Sequence, residues 1–181
     1  PYWLNEAYNN AITDFDIGYV TRNLVYRNIV SSVIRKIFDK RGVFLDYGGG
    51  YGLFVRLMRD MGFKYFRQDN YCDNIFANHF DVKDINRNSF DLLTSFEVFE
   101  HLEDPLKEIE KMLSYSDSIL FSTTLLPVYT IDSSTGWDYF APEMGQHISF
   151  YTSEALSIIA EKYNLNIYTN NKDLHLLTSK K

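Results

Sequence analysis

The sequence predicts a doubly wound α/β domain, in which helices cover both faces of a mostly parallel sheet. Short apolar runs, which suit buried strands, alternate along the chain with segments whose apolar residues recur at helical spacing. A glycine cluster follows the first of these runs and opens a helical segment, as at a strand-to-helix turn. Alternation of this kind implies right-handed crossover connections between parallel strands.

The N-terminal part of the chain predicts a helical cap. Residues 4–38 are mostly helical in pattern, with apolar residues at helical spacing, among them Ile29, Val33, Ile34 and Ile37. Asp39 to Gly42 then supply a stop signal. We therefore expect a cap over residues 1–40, followed by the main domain over residues 41–181.

The first strand of the main domain is the run Val43–Leu45, which ends at Asp46 and the glycine cluster. A helix follows, because apolar residues return at helical spacing at Leu53, Phe54, Leu57 and Met58. Further strands are predicted at Lys64–Gln68, Phe90–Ser95 and Ser118–Thr123, with a short one just before Asp81. An amphipathic helix over Pro105–Leu113 separates the last two long strands.

The C-terminal part predicts one more helix and a hairpin. The helix covers Ser153–Tyr163, with Thr152 or Ser153 as its N-cap. Residues 165–178 form the hairpin around Asn170 and Asn171. Before them, residues 125–150 break the alternation with prolines and glycines among aromatic residues. We call residues 125–150 the lid segment, because we expect them to cover the carboxyl ends of the strands.

Composition narrows the possible partners. The 181 residues carry a formal net charge of -6, which argues against a broad nucleic-acid surface, since such surfaces cluster Lys and Arg. Cys72 is the only cysteine, so an internal disulfide and a multi-cysteine zinc site are excluded. No apolar run approaches the roughly 20 residues that span a bilayer. A cytoplasmic protein that acts on a small molecule, without a membrane anchor, is expected.

The glycine cluster predicts a loop that approaches a ligand closely with its backbone. The nicotinamide fingerprint G-x-G-x-x-G lacks its third small residue, because Leu53 or Val55 occupies that position. No G-x-x-x-x-G-K-[ST] phosphate loop is present either. A nicotinamide-dependent reductase therefore remains only as an alternative hypothesis.

The order of Asp46, Gly48, Gly50 and Gly52 resembles the first motif of class I S-adenosylmethionine-dependent methyltransferases. This resemblance implies a Rossmann-like sheet of seven strands. It also implies that the loop holds the methionine part of the cofactor, while Asp46 orders the loop and the cofactor's amino group. Asp69, at the end of the second predicted strand, is the expected ribose ligand. The remaining expected cofactor-binding residues are Tyr47, Gly49, Asn70, Phe96, Glu97 and Asp81, the last of them beside the adenine.

Residues Phe90–Pro105 are similar to the fourth-strand segment of the same superfamily, with its pattern E-x-x-E-H-x-x-x-P. The resemblance thus covers residues 42–165. On a helical turn, Glu97, Glu100 and His101 would share one face. The pattern also resembles the Mg- or Mn-binding segment of 2'-O-methyltransferases that act on small-RNA ends, and that of ubiquinone-pathway O-methyltransferases. In the RNA enzymes a further histidine completes the metal site, and His147 stands at a comparable position here.

The resulting hypothesis is methyl transfer from S-adenosylmethionine to a small acceptor, with oxygen as the expected site. His147 is the candidate general base, and Glu97 lies at the floor of the catalytic site. Trp137 and Tyr139 are expected to line the acceptor pocket together with His147. Besides the nicotinamide-dependent reductase, two alternatives stay open: a methyltransferase-like module that binds the cofactor without turnover, and a metal-dependent RNA-end 2'-O-methyltransferase.

Overall fold

The computed structural model describes residues 17–128, 136–140 and 146–181. Its helices are α1 (Tyr19–Ile37), α2 (Leu53–Asp60), α3 (Pro105–Tyr115) and α4 (Ser153–Lys162). Its strands are β1 (Val43–Tyr47), β2 (Lys64–Gln68), β3 (Leu92–Ser95), β4 (Ser118–Ser122), β5 (Asn166–Thr169) and β6 (Leu174–Thr178). None of the helices in these ranges is both long enough and apolar enough to span a membrane.

The strands form one sheet in the order β2-β1-β3-β4-β6-β5. The first four run parallel, whereas β6 is antiparallel to both β4 and β5. The predicted doubly wound α/β fold is therefore confirmed, with the predicted hairpin as its antiparallel edge. The chain leaves β1 in one direction to reach β2, then returns to the other side of β1 to form β3. A crevice opens at such a reversal beyond the carboxyl ends of the strands, which is where α/β folds bind ligands.

The sheet has six strands within the described ranges, one fewer than the seven expected. The missing strand would lie beside β2, where a single bridge between Arg67 and Asp81 is all that forms. Asp81 ends the extended backbone because it caps a short 3₁₀ turn, Val82–Asp84, through reciprocal side-chain bonds with Asp84. That turn, and the lack of an apolar run around it, explain why no full strand forms.

Alternate residues of the central strands point to opposite faces of the sheet and build two cores. Phe44 packs with α1 and α2, whereas its neighbour Leu45 packs with α3 and α4. Val30 and Ile34 of α1 are fully buried in the first core, so residues 19–37 of the predicted cap lie directly on the sheet. Residues 1–16 of the cap lie outside the described ranges, as do 129–135 and 141–145 of the lid segment.

Helix α4 begins at a side-chain cap that settles the choice between two candidate residues. The hydroxyl of Thr152 accepts a hydrogen bond from the backbone N–H of Ala155 at 3.0 Å, so Thr152 is the N-cap. Ser153 is the first helical residue and its side chain is exposed.

We expect Thr152→Ala to lower the free energy of unfolding by about 1 kcal/mol, because the N–H of Ala155 loses its partner. Ser153→Ala is the matched control, since it removes the neighbouring hydroxyl and should change stability by less than about 0.5 kcal/mol. Urea unfolding of the two variants beside the parent measures both. Equal losses in the two variants would contradict the assignment of the cap.

Candidate functional site

The glycine loop leaves the carboxyl end of β1 and leads into α2. Gly48, Gly50 and Gly52 all have positive φ angles, of 70°, 53° and 86°. Two observations require glycine at position 48: its φ is positive, and a Cβ there would lie 2.5 Å from Cγ2 of Val98. The loop is fixed to β2, since the N–H groups of Gly48 and Gly49 both donate to the carbonyl of Gln68.

Gly50 differs from the other loop glycines in how little of the described protein lies beside it. Among the described residues, a Cβ at Gly50 would meet only the hydroxyl of Tyr19 within 4 Å, at 4.0 Å. The gap therefore lies between the glycine loop and the first turn of α1. Exposed loop backbone next to the start of α2 suits a cofactor that the loop approaches closely, so the residues present fit the expected S-adenosylmethionine site.

Asp46 lies beneath this loop and is only 4% exposed. It accepts a hydrogen bond from the hydroxyl of Thr94 at 2.7 Å. Burial raises the pKa of Asp46 to about 7, and the Thr94 hydrogen bond opposes that rise. Its second oxygen lies 2.8 Å from where a Cβ of Gly49 would be. The structure thus places Asp46 as a support of the loop from below.

Asp69, the expected ribose ligand, is bound to loop backbone. One oxygen accepts from the N–H of Gly50 at 2.9 Å, and the other accepts from Tyr71 and Cys72, each at 2.8 Å. A carboxylate has about four acceptor positions, so about one is left for a ribose hydroxyl. The structure thus gives Asp69 a second task, which is to hold the glycine loop to the end of β2.

Arg67 is a functional residue that the sequence interpretation missed. It is 2% exposed, and its guanidinium donates to the carbonyl of Gly50 at 2.6 Å, to the carbonyl of Cys72 and to Asp81 at 2.8 Å. Asp81, expected beside the adenine, is therefore paired with this arginine. One sequence signal was available: a charged residue within a strand buried on both faces needs a buried partner.

Three further expected cofactor residues occupy different surroundings. Tyr47 packs into the core on the α3 side and donates from its hydroxyl to Glu108, so only its backbone faces the loop. Asn70 accepts a hydrogen bond from the side chain of Gln68 at 3.0 Å. Phe96 stacks on Tyr26 of α1, with ring centroids 4.1 Å apart, and forms a wall between α1 and the end of β3.

Glu97 follows β3 and turns towards α1. Its backbone has a positive φ of 56°, which is uncommon for a residue with a side chain. Its carboxylate accepts hydrogen bonds from Ser122 at 2.7 Å and from Tyr26 at 3.0 Å, and lies 4.0 Å from Arg22. The predicted shared face with Glu100 and His101 does not form, because the helical turn starts only after Glu97, at Phe99–His101.

Glu100, His101 and His147 come together at the carboxyl end of β3. Each offers a ligand atom, and these atoms all lie within 4.8 Å of one another. Glu100 is completely buried, and neither of its carboxyl oxygens has a hydrogen-bond partner among the described residues. The structure therefore assembles three of the four predicted metal ligands and places the fourth, Glu97, outside the group.

The protonation of this cluster follows from its burial. Burial, with the nearby Glu97 carboxylate, raises the pKa of Glu100 to about 8. Burial, with the nearby His147, lowers the pKa of His101 to about 4. The Nδ1 atom of His101 bonds to the carbonyl of Gln146, and that of His147 to the carbonyl of Tyr139. Because a carbonyl only accepts, a neutral imidazole there carries its proton on Nδ1 and its lone pair on Nε2.

The described parts of the lid segment are fixed to the domain beside this cluster. The N–H groups of Ile148 and Ser149 donate to the carbonyl of Glu100, at 2.8 and 3.0 Å. At its base, the N–H of Leu126 donates to the carbonyl of Tyr151 at 2.8 Å. The expected acceptor residues Trp137 and Tyr139 pack with Phe150, and Tyr139 also contacts the His147 ring.

Comparison with known structures agrees with this architecture. A structure of the Haloferax volcanii Trm112 methyltransferase activator with its methyltransferase matches at 12% identity and a TM-score of 0.59, over 94% of this chain and 99% of that chain. Magnesium protoporphyrin IX methyltransferase from Synechocystis PCC 6803, with bound SAH, matches at 12% identity and 0.56, over 98% and 97%. Mitomycin 7-O-methyltransferase matches at 10% identity and 0.53, over 98% and 67%. At these identities the similarity is one of fold.

The sequence comparison assigns the family. No curated protein matches the sequence. Residues 22–170, however, match a family model described as a methyltransferase domain, and this range contains the glycine loop, Asp69 and the Glu100 cluster. The match disfavours the nicotinamide alternative. The chain therefore belongs to the methyltransferase domain family and is a class I S-adenosylmethionine-dependent methyltransferase.

Proposed function

We propose that this chain transfers the methyl group of S-adenosylmethionine to an oxygen atom of a small acceptor, with His147 as the general base. The observation that carries the proposal is the orientation of His147. Its Nδ1 atom is held by the carbonyl of Tyr139, so a neutral ring presents the lone pair on Nε2 for an incoming hydroxyl proton.

The cofactor would lie in the crevice above β1 and β3. S-adenosylmethionine supplies an electrophilic methyl group on its sulfonium. The backbone of Gly48–Gly52 would hold the methionine part, and Asp69 would contribute its remaining acceptor position to the ribose. The protein's main contribution is alignment, because holding the two reactants in a dry, fixed geometry removes much of the entropic barrier.

The acceptor would lie between the cofactor and the lid segment. Trp137, Tyr139 and Phe150 form an aromatic cluster next to His147, and aromatic rings supply large apolar contacts to a small molecule. The net charge of -6 favours such an acceptor over a nucleic acid, whose binding depends on clustered cations.

We expect His147→Ala to lower the rate of methyl transfer by about 10²–10⁴-fold, because the acceptor proton loses its base. Transfer is measured as label moved from S-adenosylmethionine to a panel of small hydroxyl compounds. The variant should bind the cofactor as the parent does, with a rise in melting temperature of roughly 5–10 °C at 100 times the dissociation constant.

The control is His79→Ala, because His79 is an exposed histidine that does not belong to the group formed by Glu100, His101 and His147. Unchanged transfer by His147→Ala would reject His147 as the base. Cofactor binding without transfer to any acceptor by the parent would favour a module that binds without turnover. A melting shift with NADH alone would reject the proposed cofactor.

A second candidate is metal-assisted transfer, which the buried state of Glu100 favours. One carboxylate and two imidazoles suit Mn²⁺ or Mg²⁺ better than a thiolate-seeking metal. Among the described residues neither carboxyl oxygen of Glu100 has a hydrogen-bond partner, which is unusual for a buried side chain, and a cation would satisfy both oxygens. In this version Glu100, His101 and His147 would hold a divalent ion that lowers the pKa of the acceptor hydroxyl. The RNA-end alternative shares this site.

We expect Mn²⁺ to raise the melting temperature of the parent by several degrees, and Glu100→Gln to abolish that rise, since the amide cannot replace the carboxylate as an anionic ligand. Glu161→Gln, in the exposed part of α4, is the control and should keep the rise. Isothermal titration with MnCl₂ after EDTA treatment gives the affinity directly. Equal rises in all three proteins, or none in the parent, would reject the metal site.

A further inference from the structure

An ion pair joins α1 to the end of β3 at the edge of the cofactor crevice. The Nε atom of Arg22 lies 4.0 Å from Oε2 of Glu97, and the two side chains are 35% and 36% exposed. Ion pairs with this much exposure are screened by water and contribute little to stability. The pair can therefore open for a ligand at little cost.

The position of Glu97 is fixed by more than this pair. Its N–H donates to the hydroxyl of Ser122 at 2.8 Å, and the same hydroxyl donates back to its Oε1 at 2.7 Å. These bonds hold Glu97 at a positive φ of 56°. Left-handed backbone in a residue with a side chain persists only where the surroundings hold it, and it is concentrated at ligand sites.

Tyr26 of α1 orients the same carboxylate. Its hydroxyl donates to Oε1 of Glu97 at 3.0 Å, and its ring lies flat on Phe96. Burial and the adjacent Glu97 carboxylate raise the pKa of Tyr26, so its hydroxyl keeps its proton and stays a donor. Because Tyr26 and Ser122 both bind Oε1, the other oxygen, Oε2, is the one that faces Arg22.

The ion pair borders the open side of the glycine loop. The hydroxyl of Tyr19, one turn before Arg22 on α1, lies 4.0 Å from where a Cβ of Gly50 would be, and no other side chain of the described residues comes within 4 Å of that point. The first turns of α1 therefore face the loop across a gap. One end of that gap carries a guanidinium and a carboxylate side by side.

We propose that Arg22 binds the α-carboxylate and Glu97 the α-ammonium of the methionine part of the cofactor. This inference rests on the proposed function and assigns its cofactor contacts. The guanidinium of Arg22 and the carboxylate of Glu97 lie 4.0 Å apart and match the two opposite charges of an amino acid zwitterion. The ligand's carboxylate would replace Glu97 as the partner of Arg22, and its ammonium would replace Arg22 as the partner of Glu97. Asp46, which the family resemblance assigns to the amino group, is 4% exposed and bound to Thr94, so Glu97 is the accessible carboxylate.

The test compares S-adenosylhomocysteine with 5'-methylthioadenosine, which keeps the adenosine and the sulfur but lacks the amino acid end. We expect Arg22→Met to weaken S-adenosylhomocysteine about 10–100-fold by isothermal titration, as for the loss of a charged hydrogen bond. Glu97→Gln should weaken it similarly. Both variants should bind 5'-methylthioadenosine within about twofold of the parent.

The matched control is Arg27→Met, which removes a charge from the same helix at a position where the guanidinium donates to its neighbour Asn28. It should bind both ligands as the parent does. If the parent binds S-adenosylhomocysteine, two results for Arg22→Met would overturn the assignment. One is an equal loss of affinity for both ligands, and the other is no loss of affinity for either. A parent that binds neither ligand would instead overturn the proposed function, and the assignment with it.

Discussion

Replacing Arg67 with methionine is expected to lower the free energy of unfolding by about 3–5 kcal/mol and to abolish cofactor binding. The guanidinium is 2% exposed, and without it the mostly buried Asp81 carboxylate keeps as counter-charge the exposed ammonium of Lys83, which lies 3.8 Å away and is screened by water. The carbonyls of Gly50 and Cys72 lose their donors in the same step. The glycine loop thus loses the hydrogen bond that joins the carbonyl of Gly50 to Arg67 of β2. Urea unfolding and titration with S-adenosylhomocysteine measure the two effects.

The matched control is Arg56→Met on the exposed surface of α2, where the arginine pairs with Asp60 at 57% and 56% side-chain exposure. Its loss should change stability by about 0.5 kcal/mol or less. A second comparison separates charge from packing: Asp81→Asn in the Arg67→Met background should recover part of the loss, because it removes the carboxylate that has lost its buried arginine partner. A small loss in Arg67→Met alone would show that the arginine does not organise the loop.

Asp46→Asn is expected to stabilise the protein above neutral pH, by up to about 4 kcal/mol. Burial raises the pKa of Asp46 from its ordinary value of 3.8 to about 7. A tenfold change in proton affinity corresponds to about 1.4 kcal/mol, so keeping this carboxylate charged in the fold is costly. Asparagine is neutral at every pH and its carbonyl can still accept the hydrogen bond from Thr94.

The pH dependence gives this prediction its sign. Between about pH 4 and pH 7 the unfolded chain releases the Asp46 proton while the folded chain keeps it, so the parent loses stability as the pH rises through this range. The difference between Asp46→Asn and the parent should therefore be near zero at pH 4 and reach its full size above pH 7. Urea unfolding at four pH values from 4 to 8 measures it. A difference that does not vary with pH would show that Asp46 is ionised throughout.

Local chain chemistry made most of the fold predictable. The strand, glycine loop and helix from Val43 to Asp60 could be identified from the sequence. The apolar run of the strand ends where the glycines begin, and apolar residues return at helical spacing directly after the glycines. The Thr152 cap and the hairpin at Asn170–Asn171 also depend on neighbouring residues alone. The seventh strand, which the family resemblance implied, does not form within the described ranges, because the chain around Asp81 contains a reciprocal cap that ends the extended backbone.

The site was less predictable because its contacts join distant parts of the chain. Tyr26 and Glu97 are 71 residues apart, and Ser122 approaches Glu97 from a third element, so no spacing rule could link them. The spacing of Glu97 even led to a wrong prediction. A face shared by residues i, i+3 and i+4 requires a continuous helix, and the helical turn here begins only at Phe99. Glu100, His101 and His147 were predictable as a group because resemblance, rather than periodicity, connected them.

The hydrogen bond between Leu126 and Tyr151 has a consequence for how such a protein could diverge. It joins the two ends of the lid segment, so the residues between them form a loop that is closed at its base. The entropy of closing a loop grows only slowly with length, by about 0.6 kcal/mol for each doubling. Insertions that leave the hydrogen bonds of Ile148 and Ser149 to Glu100 in place are therefore inexpensive for folding. If the lid segment lines the acceptor site as proposed, remodelling it would change the acceptor preference and leave the glycine loop, Arg67 and the sheet unaltered.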